Sequence, residues 1–193
     1  MRYILLVIFV LTCSTASAVW LSYCTSVASS SLGPDLGYYF YGVRFTPPAS
    51  SGQISKVSVY CSGVGDPDLC VIDIALYHVI NGTPAEQIQL NTFNISMAPG
   101  WQTFNFSYPW SGGSETEFLI AVVPELFQIG IQVGVTYLWM DPEINPPNRN
   151  WKKPTFGGSW ELCTTGGDFM IRTEICCVGV ESSTLGMIRS LYR

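Results

Sequence analysis

The chain has 193 residues, with 9 Lys and Arg against 14 Asp and Glu, a formal net charge of −5, and only 12% of its residues charged. This acidic balance provides no basic surface for nucleic acid, so a nucleic-acid partner is not expected. The length suits one domain with a sizeable core.

The N-terminus has the pattern of a cleavable secretory signal. A single positive side chain, Arg2, precedes the apolar run 4–11, and an A-x-A site follows at 16–18,. The run is too short to span a bilayer, which takes about 20 residues. We therefore predict that residues 1–18 are removed, that the mature chain begins at Val19, and that no transmembrane segment follows. A lipoprotein modified at Cys13 is the alternative.

Cysteine usage favours disulfides over zinc. Signal cleavage removes Cys13 and leaves six of the seven cysteines. An even number of cysteines in an exported chain points to disulfide bonds, because oxidising compartments let them persist. There is no C-x2-C pair, and His78 is the only histidine, so a structural zinc site is not expected.

Two strand-like runs, residues 56–61 and 70–77, alternate apolar with polar side chains. Because successive side chains of a strand point to opposite faces, Cys61 and Cys70 both fall on the apolar face. The eight-residue loop between them, SGVGDPDL, has the Gly, Pro and Asp content of a turn. The pattern predicts a hairpin closed by a Cys61–Cys70 disulfide. Two free buried thiols are the alternative.

Further strand patterns follow along the chain, separated by glycine- and proline-rich turns. The segment 117–124 is apolar on both faces, as a central strand covered on both sides would be. No stretch within 19–178 shows sustained helical spacing. We predict an all-β fold, an antiparallel β-sandwich, with a barrel as the alternative. The other predicted strands are 38–45, 101–108, 135–140 and 168–178.

A series of segments resembles a known kind of module. YGVRFTPP, GQISKVSVY, VIDIALYHVINGTP, GWQTFNF, FLIAVVP, GGSW and DFMIRTEI occur in this order. The series, which covers about residues 38 to 178, is similar to the jelly-roll, carbohydrate-binding-like β-sandwich modules of exported bacterial and archaeal surface proteins. The resemblance implies a jelly-roll-like sandwich at the cell surface. The additional cysteines depart from that pattern, so the disulfides do not follow from it.

Few residues have the arrangement that catalysis requires. For His78, a structural role is favoured over a catalytic one, because a general base requires precise geometry. No G-x-S-x-G, P-loop or dinucleotide-binding motif occurs in the sequence,. Glycosidases use two carboxylates across a cleft, but neither Asp66 with Asp68 nor Asp141 with Glu143 is placed in that way by the sequence. The carboxylate oxygens of Asp66 and Asp68 lie in a loop and are of the kind that binds calcium. The alternative is that both side chains are solvated and only help to form the turn. We expect that the protein has no catalytic activity and no cofactor other than calcium.

Aromatic side chains are the most suggestive feature of the chain. Trp101 lies opposite Phe104 and Phe106 in its strand pattern, and Trp151 lies in the polar loop NPPNRNWKKP. Both are candidate exposed platforms on which a sugar ring stacks; packing at the ends of the core is the alternative. We therefore expect an exported, non-catalytic surface-binding module whose partner is a glycan or a cell-envelope component. A structural or adhesive subunit of an envelope layer is the second reading, and a secreted hydrolase the third.

The remaining covalent features are less constrained. Cys176 and Cys177 are adjacent, and a bond between neighbours would require strained geometry. The first and last strands of a jelly roll commonly lie close together, which favours a Cys24–Cys177 bridge and leaves Cys163–Cys176 as the second. Three N-x-[ST] sequons are glycosylation sites only in a host with the machinery. They lie at Asn81, Asn94 and Asn105.

The C-terminal tail, residues 179–193, differs in composition from the strands before it. Leu185, Ile188 and Tyr192 fall on one face of a short helix,. Arg189 is near its C-terminal end, where positive charge is favoured. We predict a short helical tail with a docking or sorting role; packing onto the sandwich or fraying is the alternative.

Overall fold

A computed structural model describes the chain over residues 18–25, 27–34, 39–47, 51–111, 117–142, 148–164 and 167–177. The predicted signal up to residue 17, Glu143 and the predicted helical tail at 179–193 lie outside the described residues. Within the described residues all regular structure is β apart from one 3-10 turn at Pro67–Leu69. No helix there is long and apolar enough to cross a membrane.

The strands form two antiparallel sheets, which confirms the predicted all-β antiparallel sandwich at the level of its architecture. One sheet has seven strands in the order β1-β13-β4-β10-β2, with β7 also paired to β4 and β9 to β10. The other has six strands in the order β12-β11-β3-β8-β5-β6. The strands are β1 (Ala18–Ser22), β2 (Ser30–Leu32), β3 (Tyr39–Phe45), β4 (Ser51–Gly65), β5 (Val71–Ile80), β6 (Thr83–Asn94), β7 (Gly100–Ser111), β8 (Phe118–Pro124), β9 (Leu126–Ile129), β10 (Gln132–Met140), β11 (Asn150–Pro154), β12 (Glu161–Leu162) and β13 (Ile171–Cys177).

The core lies between the sheets and is built by period-two alternation. Phe104 and Phe106 of β7 point inward, as predicted, while Thr103 before them and Asn105 between them are outside. Strand β8 is buried along its whole length, because its inner side chains enter the main core and its outer ones enter a second apolar cluster on the outside of the six-stranded sheet. The predicted central strand at 117–124 is confirmed.

The predicted hairpin closed by Cys61 and Cys70 is wrong. Strand β4 belongs to the seven-stranded sheet and β5 to the six-stranded sheet, so the loop crosses between layers instead of turning within one. β4 continues four residues past Cys61 to Gly65, whereas Cys70 immediately precedes β5. The two thiols are both buried and unbonded, and burial raises the pKa of Cys61 to about 12. The alternative of two free buried thiols describes the structure.

The other two predicted bridges are also absent, for reasons of register. The first and last strands, β1 and β13, do pair, but antiparallel: Ala18 faces Cys176 and Ser22 faces Arg172. Cys24 therefore lies at the opposite end of this ladder from Cys177, on the order of 20 Å away at about 3.3 Å per residue. Cys163 lines a cavity with Phe169, which precedes β13, whereas Cys176 lies near its far end. Cys24, Cys163 and Cys176 are all free.

Candidate functional site

The outer face of the seven-stranded sheet has a connected row of aromatic side chains. Tyr60 on β4 meets Trp101 on β7 and Trp139 on β10 edge-on, with ring centroids 5.7 Å and 6.1 Å apart. The Cζ atom of Arg172 on β13 lies 4.2 Å from the Trp101 ring centroid and 5.0 Å from that of Trp20 on β1. Trp20 itself is 41% exposed. We call these five side chains, drawn from five strands, the aromatic strip.

Strand alternation places the aromatic strip on the outside of the sandwich. Val59 and Cys61 are fully buried on either side of Tyr60, so the Tyr60 ring must lie on the other face,. Ile171 is likewise fully buried next to Arg172. The sequence prediction that Trp101 lies on the outer face is confirmed, although Arg172 covers part of its ring.

Polar groups border the aromatic strip. The Nε1 of Trp139 donates to the Ser62 hydroxyl at 3.1 Å, which fixes the indole orientation. Beside the strip, Glu174 accepts a hydrogen bond from the Ser55 hydroxyl at 2.7 Å and lies 3.1 Å from the Lys56 ammonium. The Ser55 hydrogen bond and the Lys56 charge hold the pKa of Glu174 below its ordinary value, against the opposing effect of burial. The strip therefore combines flat apolar rings with hydroxyls and charges.

Trp151, the second predicted platform, does not lie in an exposed loop. It is on β11, and its ring packs against the apolar cluster outside the six-stranded sheet, together with Trp160 and Phe40. Trp160 meets Tyr77 edge-on at 5.0 Å. The Trp151 Nε1 atom is buried, so this polar edge of the indole is closed to a ligand. The placement favours packing, the alternative that the sequence left open, and a ligand platform at Trp151 stays a prediction.

A cavity of about 590 Å³ opens between the two sheets at one end of the sandwich. Its wall includes Tyr39, Tyr41 and Phe169. Its charged groups engage each other: the Lys152 ammonium lies 3.8 Å from Glu161 and 5.8 Å from the centre of the Tyr39 ring. Because Lys152 and Glu161 already form an ion pair, neither is an unpaired charge that a ligand in the cavity could bind.

A smaller groove of about 360 Å³ lies on the outside of the six-stranded sheet. Phe40, Asp73 and Phe127 line it together with Glu125, whose position is set by Thr136. The Thr136 hydroxyl accepts from the Glu125 N–H at 2.6 Å, and the Thr136 N–H donates to the Glu125 carbonyl at 2.9 Å. Burial and, to a smaller extent, the neighbouring Asp73 charge together raise the pKa of Glu125 to about 7.

We expect Glu125→Gln to change the pH dependence of stability. A carboxyl whose pKa is higher in the folded than in the unfolded chain destabilises the fold once it ionises, so the loss develops between about pH 4.3 and pH 7. The variant should match the wild type at pH 4 and melt higher at pH 8. For this half-exposed group the difference is about 1 kcal/mol, or about 3 °C. Melting curves from pH 4 to pH 8 measure it; a difference that does not change with pH contradicts the shift.

The predicted loop carboxylates have structural roles. Asp66 accepts the Asp68 N–H at 3.0 Å and caps the turn at Pro67–Leu69. Asp141, by contrast, is fully buried and accepts the backbone N–H groups of Thr25 at 2.5 Å and Asp168 at 2.9 Å. In the part of the chain that the structure describes, no three His, Cys, Asp or Glu side chains converge as metal ligands. Calcium at Asp66 and Asp68 stays a prediction.

His78 lies at the end of β5, half-buried and opposite Phe118 of β8. Its side chain takes part in none of the hydrogen bonds of the described residues. Its predicted structural role stays a prediction.

Comparisons with known proteins bear on the fold. No protein-family model and no curated protein matches the chain. A structure of the clostridial cysteine protease Cwp84 after propeptide cleavage is 13% identical, with a TM-score of 0.61, over 82% of this chain and 40% of that one. The cysteine protease and lectin-like domains of Cwp84, a surface layer associated protein of Clostridium difficile, match at 11% identity and the same TM-score, over 82% of this chain and 36% of that one. The chain shares the fold of about two-fifths of those chains.

Proposed function

We propose that the chain is a non-catalytic surface-binding module that holds a glycan against the aromatic strip. The observation that carries the proposal is the row of Trp20, Trp101 and Trp139 on one open face of a sheet, with its rings kept in place by Arg172 and Tyr60. Aromatic side chains with one wet edge combine apolar contact with a polar handle, which suits sugar rings and their hydroxyls.

Two further observations support a role at the cell surface. The N-terminal pattern predicts export, and a neighbour in fold is described as a surface layer associated protein with a lectin-like domain. The module would then act outside the cell, where it binds a glycan or another envelope component. A metal is not needed for this contact, although calcium at Asp66 and Asp68 remains compatible with it.

Trp101→Ala should remove most glycan binding. Loss of an aromatic anchor at a binding surface costs about 2 kcal/mol or more, which is about a thirtyfold loss of affinity. An array of immobilised glycans identifies ligands of the wild type, and titration then compares the variant. Phe156→Ala is the matched control, because Phe156 is 87% exposed but lies on the other sheet's side. Unchanged binding by Trp101→Ala, or loss in the control alone, overturns the proposal.

A structural or adhesive subunit of an envelope layer is the second candidate, favoured by one surface. The β9–β10 turn exposes Phe127 (44%), Ile129 (61%) and Ile131 (99%) to solvent. An apolar edge of this kind invites pairing with another chain. A solution mass that stays that of one chain at high concentration excludes this candidate.

A further inference from the structure

The basic side chains of the described residues divide into two groups. Four of them form ion pairs: Arg44 and Arg149 with Glu117, Lys56 with Glu174, and Lys152 with Glu161. The other two, Arg172 and Lys153, lie over tryptophan rings on opposite sides of the sandwich. Arg172 differs from all the others because it lies between two rings, those of Trp101 and Trp20.

The donors of Arg172 are held in place without a protein partner. None of the hydrogen bonds or ion pairs of the described residues involves its guanidinium. The Nε atom is buried and has no hydrogen-bond partner, because the guanidinium lies between the two indole rings. Nη1 and Nη2 are not among the buried unpartnered atoms, so these two nitrogens reach solvent. Their N–H groups are therefore the donors of this side chain that a ligand can reach.

Within the described residues, no ion pair joins Arg172 to a carboxylate. Arg172 lies between Ser22 of β1 and Ser58 of β4 across the sheet. The nearest acidic residue along β13, Glu174, is already engaged by Ser55 and Lys56. The guanidinium is therefore a cation without a carboxylate partner among the described residues, in a chain whose overall charge is negative.

We infer that Arg172 selects acidic glycans, and that a sugar carboxylate binds end-on to Nη1 and Nη2 while the sugar ring lies against Trp20. This inference rests on the proposed glycan-binding function and names its ligand class. The planar fork of arginine matches the two oxygens of a carboxylate in a way that lysine does not. Stacking between two indoles holds the fork in a fixed orientation before the ligand arrives, and Trp20, 41% exposed, offers the adjoining apolar surface,.

The test compares a galacturonic acid oligosaccharide with its methyl ester of the same length, which has the same backbone without the charge. Wild-type protein should bind the acid at least about tenfold more tightly than the ester, since hydrogen bonds to charged groups are the stronger kind. Arg172→Gln should abolish this preference, so that the acid and the ester bind with equal affinity. Arg172→Lys, which keeps the positive charge but not the planar guanidinium, should lose most of the preference for the acid over the ester. Lys153→Gln removes the other ring-bound cation and should retain the full preference.

The outcomes separate this inference from the proposed function. Equal affinity of the wild type for acid and ester, with both lost in Trp101→Ala, overturns the selection of acids and leaves glycan binding intact. Binding of neither oligosaccharide, together with no ligand on the glycan array, overturns both. A preference for the acid that survives in Arg172→Gln places the carboxylate elsewhere and also overturns the assignment. Urea unfolding of each variant confirms that it is folded, and Arg172→Lys preserves the stacked cation if Arg172→Gln does not fold.

Discussion

Asp141→Ala should lower the free energy of unfolding by about 4 kcal/mol. The Asp141 carboxylate is fully buried and accepts two backbone N–H groups, those of Thr25 and Asp168. Removing it leaves both donors buried without these bonds, at about 1–3 kcal/mol each. The carboxylate also joins the segment after β1 to the entry of β13, so its loss loosens two distant parts of the chain at once.

Urea unfolding followed by tryptophan fluorescence measures this change. Asp141→Asn is the conservative variant; its amide nitrogen would face one of the two N–H donors, so we expect a loss of about 2 kcal/mol rather than full rescue. Asp66→Ala is the matched control, because it also removes an aspartate that accepts a backbone N–H, but at an exposed turn, and should cost about 1 kcal/mol or less,. A cost for Asp141→Ala no greater than that of the control contradicts the structural role.

Gly134→Ala should be strongly destabilising for a conservative change in a strand. A Cβ at position 134 would lie 2.4 Å from the carbonyl carbon and 2.5 Å from the carbonyl oxygen of Leu69. These are backbone atoms of the turn at Pro67–Leu69 and its crossing to β5, so relief requires the two sheets to move apart locally. Overpacking of this kind costs about 3 kcal/mol.

Gly100→Ala provides the comparison, since a Cβ there meets no atom within 4 Å. It should leave the free energy of unfolding within about 0.5 kcal/mol of the wild type. Urea midpoints of both variants test the contrast. If the two alanine variants have equal stability, the close approach of the turn to β10 does not constrain the fold.

Period-two alternation was sufficient to assign side chains to the inside or outside. Phe104, Phe106 and Ile171 are buried, and Trp101 and Arg172 are on the outer face, as the pattern indicates. The reason is local: once a segment is extended, successive side chains must point to opposite faces, whatever the strand pairs with. For the same reason, the fully apolar sequence of β8 predicted that both faces of this strand are buried.

Several strands had too weak a pattern to be predicted. β6 and β9 are mostly exposed, so their apolar residues do not alternate against a buried face. The residues of β1 have no strand pattern of their own, because they adjoin the predicted signal and are mostly exposed; only the resemblance to a jelly roll implied a first strand beside the last. Edge strands of this kind are stabilised by backbone pairing with a neighbouring strand, and the local sequence does not indicate which strand that is.

Which elements meet was decided only by the tertiary structure. Cys61 and Cys70 are close in sequence and both buried, yet Cys61 lies on a strand of one sheet and Cys70 immediately precedes a strand of the other. The aromatic strip brings together residues from position 20 to position 172, and no local signal marks Arg172 as the partner of Trp20 and Trp101. The sequence by itself determined the strand class, the buried faces and the excess of acidic over basic residues, because these follow from composition and local period. Pairing, register and the assembly of the strip depend on long-range contacts, which only the packed chain selects.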